Sequence, residues 1–172
     1  MGPISAEVEV DAPREAAFEL ISDLARRPNY TDHFLSGFHL TRLDARGEGA
    51  GARFRVNAPF RSPWEDTTIV ALEEPFKIEE RGAGGRSNRI PTRTVWEFEP
   101  GRAGMTLVRV THWTTPAHPL DKLVESLSWG AHFQRKSWKR ALERLRDILE
   151  AEGPGGERIA VAGGNRYATG IP

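Results

Sequence analysis

The sequence predicts an α+β fold: a curved antiparallel sheet of about seven strands wrapped around one long C-terminal helix. Three observations predict it. Strand-like segments follow one another through short turns and do not alternate with helices, which argues for an antiparallel meander. Two short helical segments intervene only after the first strand. A helical stretch from about Pro119 to Glu150 then follows the whole run of strands.

Each element has a local cause. Ile4, Ala6, Val8 and Val10 alternate with Ser5, Glu7, Glu9 and Asp11, the period-two signature of a half-buried strand. Pro13 suits a helix start, with Glu15 near the positive end of the dipole. Ala17, Phe18, Leu20, Ile21 and Leu24 recur at helical spacing, and Pro28 is read as the stop. Tyr30 to Ser36 is read as a second short helix before Gly37. Period two then returns in Phe38 to Leu43, Ala52 to Ala58, Trp64 to Glu73 and Phe76 to Arg81. Thr92 to Glu99 and Met105 to Thr114 complete the sheet, joined by the hairpin signal PGRAG. RGEGAG (Arg46 to Gly51) lacks the Lys-Ser/Thr of a phosphate loop and joins two strands, so it reads as a turn. GAGGRSN (Gly82 to Asn88) reads as a loop. Residues 1–152 form the predicted domain, and Gly153 to Pro172 reads as a glycine-rich tail, disordered or loosely docked.

Composition narrows function. In 172 residues, 24 Lys and Arg balance 24 Asp and Glu, so net charge gives no reason to expect nucleic acid as a partner. With no cysteine, disulfides, thiolate metal sites and a Cys nucleophile are excluded, which fits a reducing compartment. The N-terminal segment has no apolar signal-peptide region, and no segment is long and apolar enough for an integral membrane span. The expectation is a cytoplasmic protein. His33, His39, His118 and His132 show no ligand spacing with carboxylates, so neither a metal nor a cofactor is expected.

On a wheel of roughly 100° per residue, Leu120, Leu123, Val124, Leu127, Trp138, Leu142 and Leu145 share one face of the long helix. Gly130, Gln134 and Ser137 interrupt that face. A missing side chain beside an amide suggests a helix that roofs a cavity, with Gln134 as a polar handle; the alternative is a kink or close packing on the sheet. Strand parity turns Trp96 and Phe98 inward, as core or as pocket wall, with Val108, Val110 and His112 inward on the next strand. His112 would orient a ligand or act as acid or base, or else is a core histidine paired to the backbone. Glu97 and Arg109 would form an exposed cross-strand ion pair. Glu65 and Asp66 point to opposite faces and cannot act as one carboxylate pair, and together with Glu80 they read as solvated strand charges. Trp129 and Phe133 are placed on the charged outer face of the helix. There they would form an apolar patch for a homodimer contact or for docking of the tail.

Four segments carry a resemblance. VEVDAPREAAFELISDL (Val8 to Leu24), EGAGARFRV (Glu48 to Val56), ALEEPFKIEERG (Ala71 to Gly82) and WEFEPGRAGMTLVRV (Trp96 to Val110) occur in the order and spacing of the helix-grip fold. Over about residues 4–150 the chain resembles the START/Bet v 1-like (SRPBCC) superfamily, and within it the bacterial polyketide cyclase/dehydrase and lipid-transport group. That resemblance implies carriers, receptors or enzymes on one scaffold. The first reading is a small hydrophobic ligand, a lipid or an aromatic polyketide. Trp96, Phe98, Leu123 and Leu127 would bury it, and His112 and Gln134 would orient it. A second reading is a polyketide cyclase/aromatase or dehydratase with His112 as acid/base. A third is an interaction module presenting Trp129 and Phe133.

Overall fold

The computed structural model describes residues 3–58, 62–116 and 129–151. Strand β1 (Ile4–Val10) leads into helix α1 (Arg14–Ser22), a 3-10 turn (Leu24–Arg26) and helix α2 (Pro28–Thr31). Strands β2 (Leu35–Leu40), β3 (Gly51–Val56), β4 (Trp64–Glu73), β5 (Lys77–Gly84), β6 (Ile90–Pro100) and β7 (Thr106–Thr114) follow, and helix α3 (Trp129–Ala151) comes last. The strands form one antiparallel sheet in the order β1-β7-β6-β5-β4-β3-β2. β1 and β2 are therefore its opposite edges, although they are neighbours in the chain. Helices α1 and α2 bridge that separation, and α3 packs on β1 and α2. The result is the helix-grip arrangement, a half-barrel closed by a helix.

The core lies between sheet and helices because parity and helical period both aim apolar groups there. Phe18 of α1 meets Phe98 of β6 edge-on at 5.7 Å between ring centroids. On α3, Trp138, Ala141, Leu142, Leu145 and Leu149 are buried together with Ser137. Trp138 is the aromatic hub, with centroids 5.2 Å from Phe34 and 5.5 Å from Trp96.

Several boundaries differ from the sequence reading. Pro28 does not end a helix but starts α2, because a proline at the first helical position loses no hydrogen bond. The segment read as a helix through Ser36 is already strand at Leu35, whose pairing with Val56 overrides local propensity. β5 continues through Gly84 into the expected loop. Gly82 permits this: a Cβ there would collide with the backbone carbonyl of Asp66 on β4. Arg109 does not pair with Glu97 but donates to Glu7 at 3.1 Å and Glu99 at 3.2 Å. No helix among the described residues is long and apolar enough to cross a membrane.

Candidate functional site

The inward faces of β3 to β7 carry more polar groups than a solid core needs. Register explains their meeting. On β5, Ile78 faces Trp96, and two residues on Glu80 faces Thr94, which in turn faces His112 on β7. The parity that sends Trp96 inward thus also sends Glu80, Thr94 and Thr92 inward. Glu80 is only 1 % exposed, so its reading as a solvated strand charge is overturned.

Burial of that carboxylate is matched by Arg27, which follows the 3-10 turn and is 2 % exposed. The guanidinium donates Nη2–H to Glu80 Oε1 at 2.6 Å and Nη1–H to Oε2 at 2.9 Å. Trp96 Nε1–H donates to Oε1 at 2.8 Å, and Thr67 Oγ1–H to Oε2 at 3.0 Å. A bidentate pair with two further donors is the geometry that offsets desolvation of buried charge. Burial alone would push Glu80 up, but the Arg27 charge and these donors hold its carboxyl below the ordinary value. Burial likewise works against the Arg27 charge, and Glu80 more than offsets it, so the guanidinium stays ionised. The Arg27 Nε–H and the Tyr30 hydroxyl are buried, and Tyr30 and Arg27 interact with each other inside the fold. Burial pushes the Tyr30 phenol upward.

Beside this pair, under α3, are two adjoining cavities. One, of about 20 Å³, has apolar walls of Phe34, Leu35, Phe54, Val56 and Trp138, and a polar floor that includes Arg27, Glu65, Glu80, Thr94 and His112. The other, of about 50 Å³, is bordered by Ala58, Pro63, Gly84, Ile90, Thr92 and Thr114. Val56, Glu65 and Gln134 border both. A site of about 10–15 Å³ on this measure admits one water, so each has room for at least one.

Glu65 is the titratable side chain common to both cavities. It lies deep in the fold yet keeps some accessible surface, because it faces hollow space. Burial pushes its carboxyl up to about 7; a hydrogen bond with Thr92 opposes the rise, while the charges of Glu80 and Asp66 add to it. Asp66 is on the other face, 3.4 Å from Arg53. The carboxylates that share the interior are therefore Glu65 and Glu80, not Glu65 and Asp66.

His112 is buried, and its Nδ1 lies 2.9 Å from Thr94 Oγ1. It borders the smaller cavity, as does Gln134. Trp96, Phe98, Val108 and Val110 are buried in the core, and neither cavity is lined by them. Trp96 is also committed to Glu80 through its indole N–H. Leu123, Leu127 and the tail from Gly153 lie outside the described residues. Trp129 and Gly130 open α3, where only the backbone is described.

Phe133 corrects the sequence reading. It is half-buried against the core and not on the charged outer face. The reason is helical geometry: Phe133 belongs to the i, i+4 row of Ser137, Ala141, Leu145 and Leu149, all buried. Among the described residues, no group of three or more His, Cys, Asp or Glu is arranged to hold a metal ion.

Sequence reasoning missed Arg27, Glu80 and Glu65. Strand parity was the available signal for both glutamates. Arg27 had none, because its partner is 53 residues away.

Solved structures of the same shape are numerous. The solution structure of KanY protein aligns with a TM-score of 0.67 at 20 % identity, over 87 % of this chain and 99 % of that one. Major latex-like protein 151 from Panax ginseng aligns at 0.66 and 12 % identity, over 86 % and 97 %. A START superfamily protein from Mycobacterium smegmatis aligns at 0.61 and 17 % identity, over 86 % and 97 %. At these identities the likeness is one of fold. No curated protein matches the sequence. The family profile described as polyketide cyclase / dehydrase and lipid transport matches residues 1–150, and the chain belongs to that family.

Proposed function

We propose that the protein binds a small, mainly apolar molecule between the sheet and α3. The observation that carries this reading is the pair of cavities meeting at Glu65, Val56 and Gln134. Aromatic and aliphatic walls with a few convergent polar groups are the usual chemistry of such sites. The family's description, polyketide cyclase / dehydrase and lipid transport, agrees with it. The two cavities have room for only a few waters, so a ligand beyond a small ring needs them to widen.

Native mass spectrometry of freshly purified protein tests the proposal, together with a thermal-shift screen of polyphenols, aryl ketones and fatty acids. A bound mass or a rise in Tm supports it, because a ligand selective for the folded state adds stability. No retained mass and no shift from any class counts against it.

A second reading, catalysis, draws on a separate observation: Glu65 and His112 border the same cavity. An aldol closure or a dehydration needs one group to accept a proton and another to give one. His112→Ala with retained binding and lost turnover would favour this reading. For the reading as an interaction module, and for a homodimer through α3, Phe133 offers less surface because it packs partly against the core, and the Trp129 side chain lies outside the described residues.

A further inference from the structure

We propose that Glu65, with Thr92 and Gln134, is the polar end of the interior site, and that its ligand is an uncharged molecule carrying an acceptor oxygen, such as a ketone or lactone, on an apolar body. This rests on the binding reading above and narrows it.

Three observations choose the ligand class. First, Glu65 borders both cavities, so a molecule filling either one meets this carboxyl. Second, anions are disfavoured. The cation described in the lining is Arg27, and Glu80 already neutralises it through two hydrogen bonds. The charges that act on Glu65 are those of Glu80 and Asp66, and both raise its hold on a proton. A fatty-acid carboxylate would be a further desolvated negative charge in that field. Third, the interior offers hydrogens. Gln134 borders both cavities, and its side-chain amide carries N–H groups. A carbonyl oxygen can receive such a hydrogen, and an ammonium cannot.

The groups facing Glu65 come from every neighbouring element. They are Glu80 on β5, Thr92 on β6, His112 on β7, Arg27 before α2 and Gln134 on α3, with apolar Phe54 and Val56 on β3. Burial and the two carboxylates raise Glu65 to about 7, so its O–H donor form dominates below neutral pH and is about half populated at pH 7. An acceptor ligand selects that form. Its affinity then follows the protonated fraction and falls about tenfold between pH 6 and pH 8. An amine would show the opposite slope, because it selects the carboxylate.

The experiment titrates the full chain with acetophenone, its hydrocarbon isostere α-methylstyrene and 1-phenylethylamine, read by backbone amide NMR shifts at pH 6 and pH 8. Acetophenone should weaken about tenfold on going to pH 8, and α-methylstyrene should bind equally at both. Glu65→Gln, which keeps a donor but does not titrate, should bind acetophenone with no pH slope. A wild-type slope retained in Glu65→Gln assigns the effect to another group, such as His112, and overturns the proposal. So does acetophenone binding that is flat with pH, or an amine that tightens towards pH 8 and outbinds the ketone. In these cases α-methylstyrene still binds and the cavity reading stands. If none of the three probes shifts resonances of cavity residues, the cavity reading falls and this inference with it. Carboxyl ¹³C titration of Glu65 needs no variant: a midpoint near the ordinary glutamate value refutes the proposal.

Discussion

Removing the charge from Glu80 is the sharpest test of how the interior is held. Glu80→Gln keeps the shape of the side chain but leaves Arg27 buried and ionised, at 2 % exposure, without a counter-charge. The amide also turns an N–H towards one of four donors that the carboxylate now accepts: two from Arg27, one from Thr67 and one from Trp96. Breaking a buried pair from one side costs about 3–5 kcal/mol. With a urea slope of about 2 kcal/mol per molar, the midpoint should drop by about 2 M. That is a large share of a domain's stability, which is about 5–15 kcal/mol. The double variant Arg27→Met, Glu80→Leu removes both charges and fills the space. It should recover to within about 1–2 kcal/mol of the parent or exceed it, because both desolvation terms vanish together. Urea unfolding followed by tryptophan fluorescence reads all the variants. A single-variant loss under about 1 kcal/mol would show the pair to be solvated and refute the reasoning. So would a double variant as unstable as the sum of the singles.

Four further outcomes follow from the geometry. Trp138→Ala should cost about 3–5 kcal/mol, since the indole packs on Phe34 and Trp96, and calorimetry would show it. Gly82→Ala should destabilise by more than about 1–3 kcal/mol, because the new methyl meets the Asp66 backbone and no flexible tip; urea unfolding checks it. Arg93→Ala should cost under about 1 kcal/mol, although Arg93 reaches Glu79 at 2.8 Å on the outer sheet face, because the cation is half-exposed. His33 gives a pH signature. Burial lowers its value, Nε2–H donates to the Ser137 carbonyl, and Nδ1 faces Arg144. Its folded value is below the unfolded one of about 6.5, so its contribution is present above that pH and is lost as pH falls through the folded value. His33→Gln should remove that acid-side loss in unfolding curves taken from pH 7 to pH 5.

The sheet was legible because its signals are local. Alternation in Ile4–Val10 and in Thr106–Thr114 turns directly into burial, and the same rule aims Trp96, Phe98 and His112 inward. The site was legible only in part, for two physical reasons. Charged residues on a strand carry no sign of whether a counter-ion waits inside, so parity alone left Glu80 and Glu65 looking solvated. The environment of Glu80 is set by Arg27, which lies between β1 and β2 in the chain, where α1 and α2 cross from one sheet edge to the other. Phe133 failed for another reason. The charges placed on its face, Lys122, Glu125, Lys136 and Arg140, suggested an outer face, but the row through Ser137 and Ala141 decides the packing. Gln134, read either as a polar handle over hollow space or as part of a closely packed or kinked turn, borders both cavities.

The buried pair and the cavity carboxyl are one electrostatic system. Apolar residues in place of both Glu80 and Arg27 would make a tighter core, since hydrophobic replacements of buried pairs are often neutral or stabilising. What the pair provides is a fixed negative charge near Glu65 that does not itself take up a proton at neutral pH, because Arg27 holds it ionised. Glu65, lacking such a partner, answers burial and that charge by keeping its proton. The two glutamates are thus driven apart in proton affinity by where the single arginine sits, the pattern by which one interior separates a permanent anion from a neutral donor. The sign is checkable. Glu65 is raised above its unfolded value, so its favourable contribution is complete at low pH and lost as pH rises through about 7. The Arg27→Met, Glu80→Leu variant removes the Glu80 charge, so Glu65 should titrate lower there, and the loss of stability with rising pH should be smaller and complete at a lower pH. If the Glu65 midpoint did not move in that variant, burial alone would account for its protonation, and the ion pair would be scaffolding with no part in tuning the site.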